Sequence, residues 1–155
     1  MIQDIYNYLE LNDHLLTAGQ PRQEQLADIA AAGCQAVINL AMPDADYALE
    51  DERGSVQALG MAYYPLPVVW QNPTLDDLLA FCNLMDRLQG SKLFVHCAAN
   101  MRVSAFVALY RVLRLGWEPE RAFEDTRRIW TPDGWWKEFI DQALANRAFF
   151  ARPPA

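Results

Sequence analysis

One short stretch of the sequence brings together side chains that could do nucleophilic chemistry. Residues 96–104 read HCAANMRVS, so His96 and Cys97 stand as a pair ahead of Arg102 and Ser104. The ionised thiolate is the reactive form of cysteine, and a helix N-terminus or a neighbouring cation favours it. The stretch therefore indicates Cys97 as a candidate nucleophile. The alternative is a small buried hydrophobe, which a cysteine in apolar surroundings often is.

The sequence around this pair predicts a sharp turn from a strand into a helix. The apolar run KLFV precedes the pair, and the long apolar run SAFVALYRVL follows it. Such a turn directs several backbone N–H groups at one point, and the helix dipole adds roughly half a positive charge there. Asn100 fits this geometry, because asparagine tolerates the left-handed backbone that a tight anion-binding loop often needs. We therefore expect an anion site beside Cys97.

The elements that must position this turn alternate between strands and helices. Strand-like runs occur in LLTA, QAVINL, MAYYPLPVV and KLFVHC, and helical patterns separate them. Thr74, followed three residues later by Asp77, marks the start of one helix as a capping box. The order predicts an α/β fold: a mostly parallel central sheet flanked by helices on both faces, with a C-terminal helical cluster. Ligands bind beyond the carboxyl ends of such strands, which is where Cys97 falls.

Length and composition are those of one folded domain. The chain has 155 residues, of which 52% are apolar and 12% aromatic, and this is enough for one core. We expect a single domain over residues 1–150 and a loose tail over 151–155. The formal net charge of −7 argues against nucleic acid or an anionic membrane as a partner. No apolar run reaches the roughly 18 residues of a membrane span, so we expect a cytoplasmic protein.

The cysteines give no sign of a disulfide framework or a metal site. Cys34, Cys82 and Cys97 are widely spaced and form no C-x-x-C pair. Cys34 and Cys82 lie in apolar patterns and are expected in the core. We expect neither a metal nor a cofactor.

Three segments carry a resemblance to a known family. VHCAANMRVS resembles the signature of the cysteine-dependent protein tyrosine phosphatases, in which His-Cys, five residues, Arg and then Ser or Thr open a helix. LLTAGQPRQEQLADIAAAGCQAVINL and WTPDGWWKEFI are similar to the first and last parts of a small bacterial, dual-specificity-phosphatase-like branch. The resemblance covers most of residues 15–140. It implies a dual-specificity-phosphatase-like fold and hydrolysis of phosphate monoesters, in a phosphorylated protein or small molecule, through a cysteinyl-phosphate intermediate.

The resemblance also implies roles for the residues of the turn. Cys97 would be the nucleophile, and Ser104 would help to release its thiolate. Backbone N–H groups of the loop would hold the phosphate oxygens, namely those of Ala98, Ala99, Asn100, Met101, Arg102 and Val103. Aligned without gaps, the signature puts Val103 where the phosphate-clamping arginine belongs and Arg102 one position early. One residue is about 100° of rotation on a helix, so Arg102 need not point into the site, although its long side chain could curl over a phosphate.

The general acid of the family has no clear counterpart in this sequence. Trp70 falls about where the family carries its aspartate, after the MAYYPLPVV strand. Asp76 and Asp77 look like charges at a helix N-terminus. Asp44 and Asp46, which leave another strand at its carboxyl end, are the candidate general acids, with ordinary solvated aspartates as the alternative.

These departures predict low or atypical activity. A missing charge-stabilising donor typically costs about 10²- to 10³-fold in rate, and a missing general acid about 10²- to 10⁴-fold. A phosphate- or anion-binding module that has lost turnover is therefore the alternative function. Sulfur transfer is a third and weaker one, because rhodanese-like domains also place a reactive cysteine in a loop of amides.

Overall fold

A five-stranded sheet forms the centre of the computed structural model, which describes residues 1–154. The strands are β1 (Leu9–Asn12), β2 (Leu15–Ala18), β3 (Ala36–Asn39), β4 (Ala62–Pro65) and β5 (Leu93–His96). Their order across the sheet is β1-β2-β5-β3-β4. Only β1 is antiparallel to its neighbour; the other pairs are parallel. The expected mostly parallel α/β sheet is confirmed, and β1 is an edge strand that the sequence patterns do not predict.

Within residues 1–154, seven α-helices surround the sheet. They are α1 (Leu26–Ala31), α2 (Glu52–Ala58), α3 (Leu75–Arg87), α4 (Met101–Leu113), α5 (Pro119–Ala122), α6 (Glu124–Ile129) and α7 (Gly134–Ala145). Short 3-10 turns lie at Ile2–Asp4, Gln23–Gln25 and Arg147–Phe150. The predicted capping box is present at the start of α3, because Thr74 Oγ1 accepts from Asp77 N at 3.0 Å and Asp77 Oδ2 accepts from Thr74 N at 3.2 Å.

The alternation of side chains along the central strands builds a core on each face of the sheet. Ile38 and Val95 pack on one face with the side chains of α3, α4 and α7. Val37 and Phe94 pack on the other face with those of α1 and α2. His96, which alternates with Val95, therefore points to the face that carries α2.

The parallel strands all end at one edge of the sheet, and this edge carries the candidate site. The segments that follow β2, β3, β4 and β5 lie there side by side: residues 19–22, 40–51, 66–74 and 97–100. Four stretches that are far apart in sequence can therefore contribute to one site.

The Arg152 side chain attaches the described part of the C-terminal tail to α3. Residues 151–154 form no helix or strand, but the Arg152 guanidinium donates to both carboxylate oxygens of Asp86, at 2.8 and 3.0 Å. Ala155, the last residue of the expected loose tail, lies outside the described residues. Within residues 1–154, no helix combines the length and the apolar character needed to cross a membrane, and no cluster of three or more metal-ligating side chains occurs.

Candidate active site

Cys97 lies at the end of β5 and lines a small pocket. The residue is only 1% exposed, yet it lines a cavity of about 210 Å³ together with Trp70, Ala98, Ala99, Met101 and Arg102. Roughly 10–15 Å³ of such space holds one water molecule, so a tetrahedral oxyanion has room beside Cys97. Cys97 therefore belongs to a pocket.

Cys34 and Cys82 are core residues, as their apolar surroundings predict. Both are buried, and burial raises the pKa of the Cys34 thiol to about 11 and that of Cys82 to about 12. Such thiols stay protonated and unreactive at neutral pH.

The loop after Cys97 has its carbonyl groups bonded to neighbouring elements. The Cys97 carbonyl faces His96 Nδ1 at 3.2 Å, the Ala98 carbonyl accepts from Gln20 N at 2.9 Å, and the Ala99 carbonyl accepts from Asn7 Nδ2 at 2.9 Å. When consecutive carbonyls turn outward, the intervening N–H groups are left to face the inside of the loop. This is the backbone arrangement of an anion-binding concavity at a helix N-terminus.

Asn100 gives the loop its tight turn. Its φ of 64° and ψ of 6° are left-handed, as the sequence predicts. Its side chain donates to Asn7 O at 2.9 Å and to Thr17 Oγ1 at 3.1 Å. Asn7 also has a positive φ, 51°, and it donates back to Ala99 O. Each asparagine side chain thus bonds to the segment that contains the other, and the bond to Thr17 holds the turn against β2.

A bend at Gly19, Gln20 and Pro21, directly after β2, also supports the loop. A Cβ added to Gly19 would lie 2.5 Å from Ala98 O and 2.8 Å from Tyr6 Cδ2, so only glycine permits this close approach. The next residue, Gln20, binds Ala98 O through its backbone and Glu52 Oε1 through its side chain at 3.0 Å. The bend therefore ties the loop to the N-terminus of α2.

His96 connects the loop to a buried carboxylate that the sequence patterns do not reveal. Its Nε2 lies 2.6 Å from Glu52 Oε2, and both side chains are buried. Burial alone would raise the pKa of Glu52, but the hydrogen bond and charge of His96 hold it below its ordinary value. At Nδ1 the ring faces the Cys97 carbonyl at 3.2 Å. His96 therefore joins the buried carboxylate of α2 to the start of the loop that carries Cys97.

Arg102, and not Val103, faces the pocket, which corrects the ungapped alignment. Arg102 lines the cavity with Cys97, and its guanidinium donates to Val68 O at 2.8 Å and to Tyr47 Oη at 3.2 Å. Val103 is fully buried in the core, so only its backbone can serve an anion. α4 begins at Met101, directly after the left-handed Asn100, so Arg102 lies in the first turn of the helix and next to the pocket.

Ser104 is not bonded to the sulfur. Its Oγ donates to Met101 O at 3.0 Å and accepts from Trp130 Nε1 at 3.1 Å. The single hydroxyl proton is therefore engaged by a helix carbonyl. This placement does not provide the thiolate-releasing contact that the resemblance implies.

The segment where the family carries its acid is held in place by tryptophans. The indole N–H groups of Trp135 and Trp136 both donate to Trp70 O, at 3.1 and 2.9 Å. Trp70 stacks in a tilted arrangement on Trp130 and Trp136, with ring centroids 5.4 Å apart in both pairs. Arg102 binds the same segment at Val68 O. The wall opposite Cys97 is thus an aromatic ring without an acidic group.

The loop after β3 reaches the site with a different residue from the two expected. Asp44 and Asp46 are exposed and do not line the Cys97 cavity. Tyr47, on the same loop, brings its hydroxyl to Arg102 instead. Its ring also lines a second cavity of about 550 Å³, which shares Ala98 and Ala99 with the first. The two cavities adjoin at Ala98 and Ala99, in the loop after Cys97.

The fold is that of the cysteine-dependent phosphatases of the dual-specificity type. The family model described as DSP-PTPase phosphatase fused to NAD+ kinase matches residues 4–134. The chain belongs to this family.

Individual relatives agree with this assignment. A beta-lactamase hydrolase-like protein of Xylella fastidiosa is 29% identical over 109 residues, which are 68% of this chain and 25% of that protein. The chain thus spans about a quarter of the length of the curated relatives it matches. A DUF442 protein of Shewanella putrefaciens CN-32, described as a candidate phosphatase, has a structure with a TM-score of 0.84 and 31% identity, covering 94% of this chain and 96% of that one. TpbA of P. aeruginosa shares the fold, with a TM-score of 0.74 and 16% identity over 95% and 92% of the two chains.

Proposed function

We propose that the protein hydrolyses phosphate monoesters with the Cys97 thiolate as nucleophile, through a cysteinyl-phosphate intermediate. The observation that carries this proposal is the set of three consecutive carbonyls, of Cys97, Ala98 and Ala99, bonded away from the pocket. The N–H groups between them and the Arg102 guanidinium are then available to a dianion beside the sulfur. Preorganised donors of this kind stabilise the charge that develops in the transition state without reorganising.

Two sources of positive charge lie beside Cys97. The N-terminus of α4 follows the loop directly, and Arg102 lines the same cavity as Cys97. Helix N-termini and guanidinium groups both attract anions. These two features support binding of a phosphate dianion next to the nucleophile.

The ligands of other proteins with this fold suggest a substrate class. Structures that share the fold hold phosphotyrosine in a TpbA variant and PI(5)P in PTPMT1. The group common to those two ligands is a phosphate monoester. We infer that this chain also takes a phosphorylated protein or small molecule, with the phosphate at the loop and the remainder in the adjoining 550 Å³ cavity.

An anion-binding module without turnover is the second candidate function. Two observations favour it: the Ser104 hydroxyl proton is engaged by Met101 O, and no carboxylate lines the Cys97 cavity. Both functions predict oxyanion binding at the same place, so binding alone does not distinguish them.

The distinguishing experiment compares the wild type with Cys97→Ser and with the control Cys34→Ala. Turnover of p-nitrophenyl phosphate and binding of inorganic phosphate, followed by tryptophan fluorescence because Trp70 lines the cavity, are measured for each. We expect turnover in the wild type and in Cys34→Ala, and phosphate binding without turnover in Cys97→Ser. Unchanged turnover in Cys97→Ser removes Cys97 from the mechanism. Phosphate binding without turnover in the wild type supports the module, and a persulfide formed from thiosulfate supports sulfur transfer.

A further inference from the structure

Tyr47 occupies a position from which it could replace the missing carboxylic acid. Its Oη lies 3.2 Å from an Arg102 nitrogen. Guanidinium groups only donate hydrogen bonds, so the Tyr47 oxygen is the acceptor in this contact. The phenolic proton is consequently directed elsewhere and can be given to a substrate.

The Tyr47 hydroxyl lies where the phosphate and the leaving group of a bound ester would meet. Arg102 belongs to the Cys97 cavity, which would hold the phosphate, and the Tyr47 ring belongs to the adjoining cavity, which would hold the leaving group. The bridging oxygen that breaks from phosphorus lies between these two groups. A hydroxyl bonded to Arg102 at the rim of the second cavity is therefore within reach of that oxygen.

No carboxylate lines either of the two cavities. Trp70 stands in the Cys97 cavity where the family acid would fall, and Asp44 and Asp46 are exposed outside both cavities. The carboxylate of Glu52 is engaged by His96 and Gln20 on the far side of the loop.

We propose that Tyr47 is the proton donor to the leaving group, an inference that rests on the proposed phosphatase function. In the first step the S–P bond forms, the P–O ester bond breaks, and the Tyr47 proton passes to the departing oxygen. The phenolate that remains is stabilised by the Arg102 cation beside it. In the second step the phenolate takes a proton from a water molecule that attacks phosphorus. The S–P bond then breaks, the thiolate is restored, and inorganic phosphate leaves.

The test is the dependence of Tyr47→Phe on the leaving group. A general acid matters when the leaving oxygen is basic and matters little when the leaving group is already a stable anion. We compare kcat/KM, which reports steps up to release of the first product, for phenyl phosphate and for 2,4-dinitrophenyl phosphate. Tyr64→Phe is the control, because Tyr64 is half-buried in a separate cavity on β4.

Tyr47→Phe is expected to lose about 10²- to 10³-fold in kcat/KM on phenyl phosphate and to stay within about threefold on dinitrophenyl phosphate, with Tyr64→Phe unchanged on both. An equal loss on both substrates would make Tyr47 only a positioning residue for Arg102 and overturns the proposal. A loss on phenyl phosphate in an Asp44→Asn, Asp46→Asn double variant, with Tyr47→Phe unaffected, also overturns it. If the wild type releases no dinitrophenol, the phosphatase function itself fails, and this result is distinct from the other two.

Discussion

His96 Nε2 and Glu52 Oε2 lie 2.6 Å apart in the interior, beneath the loop that carries Cys97. The two residues are 44 positions apart in sequence and belong to β5 and α2. Gln20 donates to the other Glu52 oxygen at 3.0 Å, and Asn39 lies 3.4 Å from the first. This buried group joins the ends of three strands at the base of the candidate site.

Removal of either member of the pair should destabilise the fold. Removing one partner of a buried pair typically costs about 3–5 kcal/mol, so Glu52→Ala and His96→Ala are each expected to lose free energy of unfolding in this range. The double variant should lose less than the sum, because the second change removes the buried polar group left unpaired by the first. Urea denaturation of the four proteins at neutral pH measures the coupling. Strictly additive losses would contradict a direct interaction.

The same pair predicts a specific dependence of stability on pH. The pKa of Glu52 is lowered in the folded protein, whereas the pKa of a glutamate in the unfolded chain is about 4.3. The stabilising contribution of Glu52 is thus present above that value and is lost as pH falls through the folded pKa. Between about pH 5 and pH 3, the wild type should lose stability more steeply than Glu52→Gln. Parallel stability curves for the two proteins would exclude an ionised Glu52 in the fold.

Features that depend on local chemistry could be predicted from the sequence. The Thr74 and Asp77 capping box depends only on residues three apart, and the left-handed Asn100 follows from the tolerance of asparagine for that conformation. The parallel sheet follows from the alternation of strand and helix patterns. Strand β1 escaped prediction because it has only four residues, LELN, and no fully buried position.

Arg102 should be the charged side chain that binds the phosphate. Removing one such donor typically costs about 10²- to 10³-fold in kcat, so we expect this loss for Arg102→Ala. Arg102→Lys keeps the charge but not the two-pronged donor geometry, and it should recover only part of the rate. The exposed Arg87, in a separate cavity, provides the control Arg87→Ala, which should leave kcat unchanged. A wild-type kcat in a folded Arg102→Ala protein would refute this role.

Val103→Arg should damage the fold and not improve the enzyme. Val103 is fully buried in the core and does not line the pocket, and an unpaired charge buried there is expected to cost more than about 4 kcal/mol. Thermal denaturation measures this loss directly. A stable Val103→Arg protein with faster turnover would instead restore the ungapped alignment.

The remaining features of the site could not be read from sequence because they depend on the meeting of distant segments. The side of α4 on which Arg102 emerges was decided by where the helix starts after Asn100. Glu52 meets His96 only after α2 packs on the face of the sheet to which His96 points. Tyr47 reaches Arg102 from the loop in which Asp44 and Asp46 carry the more obvious chemistry. Each of these contacts depends on how two distant segments pack against each other in the folded protein.

The most direct measurement is a rapid-quench reaction of the wild type with 2,4-dinitrophenyl phosphate, followed by mass spectrometry of the acid-quenched protein. We predict one phosphoryl group per molecule, attached to the peptide that contains Cys97 and absent from Cys97→Ser. Release of dinitrophenol with no phosphorylated peptide, or with the phosphoryl group on another residue, would contradict nucleophilic attack by Cys97.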